Sequence, residues 1–128
     1  MLTELVVRLE HRPGTLAALS ELLGENDVDI VALAVLAVPG QEALAHMVVE
    51  PADVAVKLLG EAGARLERVR EVLAVTLDDE PGALGRYCRA LADAGINLEA
   101  VYVAGEQDGS KQLVMAVSDL EAARDIGS

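Results

Sequence analysis

The sequence predicts an α+β protein made of two copies of one βαββαβ unit, and three observations predict it. An internal repeat runs without a gap, strand-like and helix-like periods alternate in a fixed order, and turn residues separate them. A shift of 68 residues lays Leu5, Val7, Leu9, Pro13, Gly14, Leu16 and Leu23 on Leu73, Val75, Leu77, Pro81, Gly82, Leu84 and Leu91. The same alignment carries Asp29 onto Asn97, Ala32 onto Ala100, Val35 onto Val103, Met47 onto Met115 and Val49 onto Val117.

Glu4 to Glu10 alternates with Leu5, Val7 and Leu9 on one side, the period of a half-buried strand. Arg12-Pro13-Gly14-Thr15 breaks it. Leu16, Leu19, Leu22 and Leu23 then recur at helical spacing up to the polar stop Glu25-Asn26-Asp27, a stripe expected to face the sheet. Ile30 to Val38 reads as a strand, Pro39 to Glu42 as a hairpin turn and Ala43 to Val49 as the return strand. A second helix is expected from Pro51-Ala52-Asp53, carrying Val54, Leu58 and Leu59 and ending around Gly60 to Gly63, with Ala64 to Val69 as the closing strand.

The second copy repeats the plan: strand Val72 to Leu77, helix Ala83 to Ala94, strand Leu98 to Ala104, turn Gly105 to Ser110, strand Gln112 to Val117 and helix Asp119 to Ile126. No counterpart of Ala64 to Val69 remains, so the second unit lacks its last strand or borrows one. The expected domains are 1–70 and 71–128, meeting near Arg70-Glu71 with almost no linker. Two helices on one face of an antiparallel sheet in this order form the ferredoxin-like arrangement, which hosts many functions, so function has to come from the loops.

Composition narrows the classes. The content is 52% hydrophobic, yet there is no Trp, no Phe and only two Tyr, so the core is aliphatic and aromatic stacking platforms are excluded. A formal net charge of -12 repels phosphate backbones and anionic membranes, which excludes nucleic acid and membrane as partners. No apolar run approaches the ~20 residues of a spanning helix, and the start alternates like a strand instead of a signal peptide, so a soluble cytoplasmic protein is expected. Cys88 is the single cysteine and reads as a buried, inert thiol; His11 and His46 are isolated, and neither a metal nor a cofactor is expected.

Both copies place Pro-Gly between first strand and first helix, in Glu10-His11-Arg12-Pro13-Gly14-Thr15-Leu16 and Asp78-Asp79-Glu80-Pro81-Gly82-Ala83-Leu84. Proline fixes φ, glycine removes a Cβ from a ligand's path, and the helix start offers free N–H groups with the dipole behind them. A small carboxylate suits those amides, and Asp79 or loop carbonyls suit an ammonium. Pro-Gly also serves simply as a tight turn, and its recurrence demonstrates duplication, not binding. Asp29 and Asn97 mark the first helix's end; Asn97 can meet both carboxylate and ammonium, Asp29 only the ammonium, and either can be a turn cap. Because His11-Arg12 is neutral or cationic and Asp78-Asp79-Glu80 anionic, the first loop is expected to engage carboxylate and the second an ammonium or cationic side chain. Tyr102 either lines the pocket or packs on its own helix.

Through Pro13-Gly14-Thr15-Leu16 with Val28-Asp29-Ile30, and Pro81-Gly82-Ala83-Leu84 with Gly95-Ile96-Asn97-Leu98, the chain resembles the ACT domain, an amino-acid-sensing module attached to many biosynthetic enzymes. Nearly the whole chain takes part, and it looks most like the free-standing tandem ACT proteins, which have two modules and no catalytic domain. The resemblance implies an amino acid held where two modules meet, by His11, Arg12, Gly14, Thr15, Leu16 and Asp29 and by Asp79, Glu80, Gly82, Ala83, Leu84 and Asn97. Asp29 departs from the family, which often has Asn there.

No nucleophile-and-base set, phosphate-binding loop or dinucleotide fingerprint occurs, so no catalytic residue is expected. The expected function is a non-catalytic amino-acid sensor, a homodimer because sheet edges need covering, acting on a separately encoded metabolic enzyme. The alternatives are a ligand-free dimerisation or partner-regulating scaffold, and a ferredoxin-like barrel enzyme using His11 or His46 as general base beside a cleft carboxylate.

Overall fold

A computed structural model of the protein describes residues 2–127. The elements follow in the order β1 Leu2–Leu9, α1 Thr15–Glu25, β2 Asp29–Leu36, β3 Ala43–Glu50, α2 Ala52–Glu61, β4 Arg65–Asp78, α3 Ala83–Asp93, β5 Leu98–Gln107, β6 Ser110–Val117 and α4 Leu120–Arg124. The chain divides into two compact units, Thr3–Arg70 and residues 71–127 with Leu2. Strand β4 crosses the division, contributing residues 65–70 to one unit and 71–78 to the other.

In the Thr3–Arg70 unit the strand order is β2-β3-β1-β4, with β1 and β2 both antiparallel to β3. This is the ferredoxin-like order. Alternation along β1 sends Leu5 and Val7 to the face where their partners Met47 and Ala45 also point, and Leu19 and Leu23 of α1 with Ala55 and Leu59 of α2 close the core over them. Each fully buried aliphatic side chain there stabilises the fold by about 1.5–3 kcal/mol. Leu16 and Leu22 pack half-buried at the margin of that core. On α2 the inward stripe is Ala55 and Leu59, one turn apart, whereas Val54 is exposed, contrary to the sequence expectation. Lys57 is exposed like Val54, and the half-buried Val56 and Leu58 mark the edges of the stripe.

Strand β2 carries a bulge between Ile30 and Ala32: Ile30 faces Val49, but Ala32 faces Val48. One surplus residue exchanges the two faces of the strand from there on. The helix-free face collects Glu4, Val6 and Val48, all buried.

In the second unit the order is β4-β6-β5, and among the described residues no strand follows α4. Ala83, Tyr87 and Leu91 form the inward stripe of α3 and join Leu73, Val75, Leu113 and Met115. The repeat had pointed to Leu84 as the stripe residue. It is 45% exposed, and Cys88 is half-buried, because Tyr87 carries the larger apolar area and takes the inward position. The broad turn expected over Gly105 to Ser110 contracts to Asp108-Gly109. Both residues have positive φ, 49° and 78°, the pattern of a two-residue type I′ hairpin, so β5 runs on to Gln107. Helix α4 is shorter than expected and starts where the Asp119 carboxylate accepts from the Ala122 amide at 3.0 Å.

Candidate functional site

The β1–α1 loop of the Thr3–Arg70 unit is built around Gly14, the residue preceding α1, at φ 92°, where any Cβ would be strained. Arg12 N–H donates to Glu10 O at 2.9 Å, and the Thr15 hydroxyl lies 2.9 Å from Glu10 O and 3.2 Å from Arg12 O, locking the loop against its own helix. No side chain caps α1, so its first-turn amides point out of the helix with the positive end of the dipole.

Beside this loop lies a cavity of about 500 Å³, within the usual size of small-molecule sites. Its floor is apolar, from Val7, Leu9, Leu19, Leu22 and Leu59, and its walls come from Gly14, Thr15, Ala18 and the α2–β4 turn Ala62-Gly63-Ala64. Charge gathers at its edge. Arg12 Nε donates to Glu10 Oε2 at 2.6 Å, and Arg65 Nη1 lies 2.7 and 2.6 Å from the two oxygens of Glu42. Arg8, also lining the cavity, bonds Glu67 on β4. The Arg12 guanidinium holds the Glu10 carboxyl below the usual carboxylate range, and Arg8 does the same to Glu67.

Of the residues singled out in the first copy, Arg12, Gly14 and Thr15 line this cavity. His11 is exposed in the loop, Leu16 packs on the core, and Asp29 stands exposed at the start of β2 opposite Glu50. Arg8, Glu10, Ala18, Glu42 and Arg65 escaped the sequence reading. Glu42 comes from the β2–β3 hairpin and Arg65 from the start of β4, which only the strand order brings to the β1–α1 loop; that topology was the available signal.

The second loop is differently furnished. Asp79 pairs with Lys111 at 3.0 Å and Glu80 with Arg86 at 2.6 Å, so both carboxylates already face a cation, and Asp79 raises the Lys111 pKa by hydrogen bonding. The amides of Asp79, Glu80 and Ala83 donate to Gly109 O, Asp78 O and Glu80 O. Gly82 repeats the conformation of Gly14 at φ 92°, but a Cβ placed on it would meet Arg86 Nη1 at 2.9 Å, whereas one on Gly14 would meet nothing within 4 Å. Arg86 occupies the repeat position of Ala18. A smaller hollow of about 220 Å³ remains, lined by Ala83, Arg86 and Tyr87 among others. Leu84 is exposed, and the main chain of Asn97 is tied to Ser118 by reciprocal bonds, its backbone N–H donating to the Ser118 hydroxyl at 2.8 Å and its backbone carbonyl accepting from Ser118 N–H at 2.9 Å.

Tyr102 does not pack on its own helix. A bulge between Leu98 and Ala100 places it opposite Val114, on the face away from Leu113 and Met115, which are the residues under the helices. His46 Nδ1 lies 3.4 Å from Glu4 Oε2; neither histidine lines the large cavity. Among the described residues there is no cluster able to hold a metal ion and no helix long and apolar enough to cross a membrane.

Strand order, duplicated core and paired loops define a tandem ferredoxin-like α+β protein. A family model described as an ACT domain pair matches residues 1–126, and the chain belongs to that family. No curated protein matches the sequence. Among solved structures it is similar to protein BT0572 from Bacteroides thetaiotaomicron, at 21% identity and TM-score 0.87, over 98% of this chain and 86% of that one. It is also similar to the ligand-free regulatory subunit of aspartate kinase from Thermus thermophilus, at 18% identity and TM-score 0.71, over 95% of this chain and 87% of that one. The aspartate kinase regulatory subunit from Thermus flavus follows at 19% identity and TM-score 0.66, over 95% and 86%. At these identities the likeness is one of fold.

Proposed function

We propose that this protein is a non-catalytic regulator that binds a free amino acid in the cavity of the Thr3–Arg70 unit. The observation that carries this reading is the joint presence, around one 500 Å³ hollow, of uncapped helix amides, two guanidinium–carboxylate pairs and an apolar floor. An α-carboxylate finds donors at the amides of α1 and at Arg12 or Arg65; an α-ammonium finds acceptors at Glu10 or Glu42. Membership of the ACT domain pair family supports an amino acid as the ligand.

In this reading, bound ligand favours one conformation of the loop and helix ends over others, by as much as its affinity differs between them. The output is control of a separately encoded metabolic enzyme in the cytoplasm, a role supported by the fold shared with the aspartate kinase regulatory subunits. We also read the protein as a homodimer, because β2 and β5 end their strand orders with unpaired edges; a monomer by light scattering at high concentration overturns that part.

The test is a thermal-shift screen of the full chain against the twenty amino acids. Ligand at about 100 times its dissociation constant adds ~2.7 kcal/mol, several degrees for a small domain. A flat response to all twenty overturns the sensor and favours a partner-binding scaffold.

A further inference from the structure

We infer that the protein binds one amino acid per chain, selected for an uncharged aliphatic side chain, and that Ala18 is the residue that keeps room for it. This rests on the amino-acid reading above and adds to it the ligand's chemistry, the stoichiometry and a specificity-determining position.

Selection follows from the charge balance of the cavity. Each arginine on the edge already faces a carboxylate: Arg12 with Glu10, Arg65 with Glu42, Arg8 with Glu67. A zwitterionic head enters such a ring by exchanging partners, its carboxylate taking an arginine and its ammonium taking the glutamate, with no net charge left over. The side chain then lies on the floor, whose solvent-facing apolar surface comes from the half-buried Leu9 and Leu22, with Val7, Leu19 and Leu59 buried beneath them. A lysine or glutamate side chain would bring an unmatched charge onto that apolar surface and lose hydration without repayment. A leucine, isoleucine or valine side chain displaces water from it and gains.

Stoichiometry follows from the repeat. Ala18 stands on the exposed side of the second turn of α1 and borders the cavity; at the equivalent place in α3 stands Arg86. The Arg86 guanidinium reaches Glu80 at 2.6 Å and lies over Gly82, filling the space that stays empty beside Gly14. Tyr87 likewise replaces Leu19 and is buried. The second copy therefore takes up with its own side chains much of the room that the first copy leaves for a ligand, and about 220 Å³ remains there against about 500 Å³ beside Gly14.

The experiment is calorimetric titration of the full chain with leucine, isoleucine and valine against lysine, glutamate and aspartate, repeated on Ala18→Arg and Ala18→Phe. At least one aliphatic amino acid is expected to bind with a stoichiometry of one per chain, and more tightly than every charged one by about tenfold. Both variants are expected to lose about tenfold or more in that affinity while their ligand-free unfolding midpoints stay at the wild-type value, since position 18 is exposed. Tighter binding of a charged amino acid overturns the selectivity, two equivalents per chain overturn the stoichiometry, and unchanged affinity in both variants overturns the role of Ala18. If none of the six binds and none of the remaining amino acids does, the sensor reading itself falls. Should one variant fail to fold, the other still decides the position.

Discussion

Arg70 Nε donates to Glu4 Oε1 across 2.6 Å, and the Glu4 side chain is wholly shut off from solvent. Both residues belong to the Thr3–Arg70 unit, and His46 approaches the other Glu4 oxygen at 3.4 Å. Such a pair adds little net stability over apolar residues of the same shape, but removing one partner leaves a charge in a poor solvent. Glu4→Ala is expected to lower the unfolding free energy by about 3–5 kcal/mol in urea titrations, and Glu4→Leu with Arg70→Met to recover most of it. Equal losses in the single and double variants would show that the pair is not the cause.

Stability should fall on the acid side through the pairs at the cavity edge. Hydrogen bonds from Arg12 and Arg8 lower the folded pKa values of Glu10 and Glu67. The stability they contribute is therefore whole above the ordinary glutamate value near 4.3 and is lost as pH falls through the lowered folded values. Glu67→Gln is expected to flatten the decline in unfolding midpoint below about pH 5. On the alkaline side, Asp79 raises Lys111 and burial raises Tyr87, so their contribution holds below the ordinary values near 10 and is lost as pH climbs through the folded ones. A midpoint independent of pH at both ends would contradict these pairings.

Leu59 and Leu84 occupy comparable helices and opposite surroundings. Leu59 is fully buried between α2 and the sheet; Leu84 is 45% exposed on α3. Leu59→Ala is expected to cost about 2–5 kcal/mol through a cavity in the core, and Leu84→Ala about 0.5 kcal/mol or less. Denaturant midpoints of the two variants compare them directly.

Much of this architecture was legible because the chain states it twice. Period-two runs such as Leu5, Val7, Leu9 and the Pro-Gly breakers located strands and helix starts in both copies. Side-chain direction was less legible. Leu84 and Val54 look inward by composition, but one turn of helix carries competing apolar residues, and Tyr87 and Ala55 won by geometry that needs the neighbouring strands. Tyr102 was misplaced because a bulge leaves no mark in composition. Of the residues that line the cavity, the Pro-Gly loop and the family resemblance pointed to Arg12, Gly14 and Thr15, while Glu42 and Arg65 sit 28 and 51 residues beyond Gly14 and join it only through the strand order. The second loop's acidic run suggested a cation site; Arg86 answers Glu80 from six residues on, whereas nothing local announces that Lys111 of β6 pairs with Asp79.

The paired bulges in β2 and β5 carry a consequence for how this protein tolerates shortening. Both copies hold an extra residue between a position facing the helices and the next position on the ladder, at Ile30/Ala32 and at Leu98/Ala100, and β5 has a second shift at Val103/Gly105. Loss of a single codon there would not trim a loop; it would restore strict alternation and turn the downstream half of the strand inside out, trading Ala32 for its outward neighbours along an edge. An insertion in the nearby Pro39-Gly40 turn changes no such parity. Deletions and insertions a few residues apart should thus have very unequal fates.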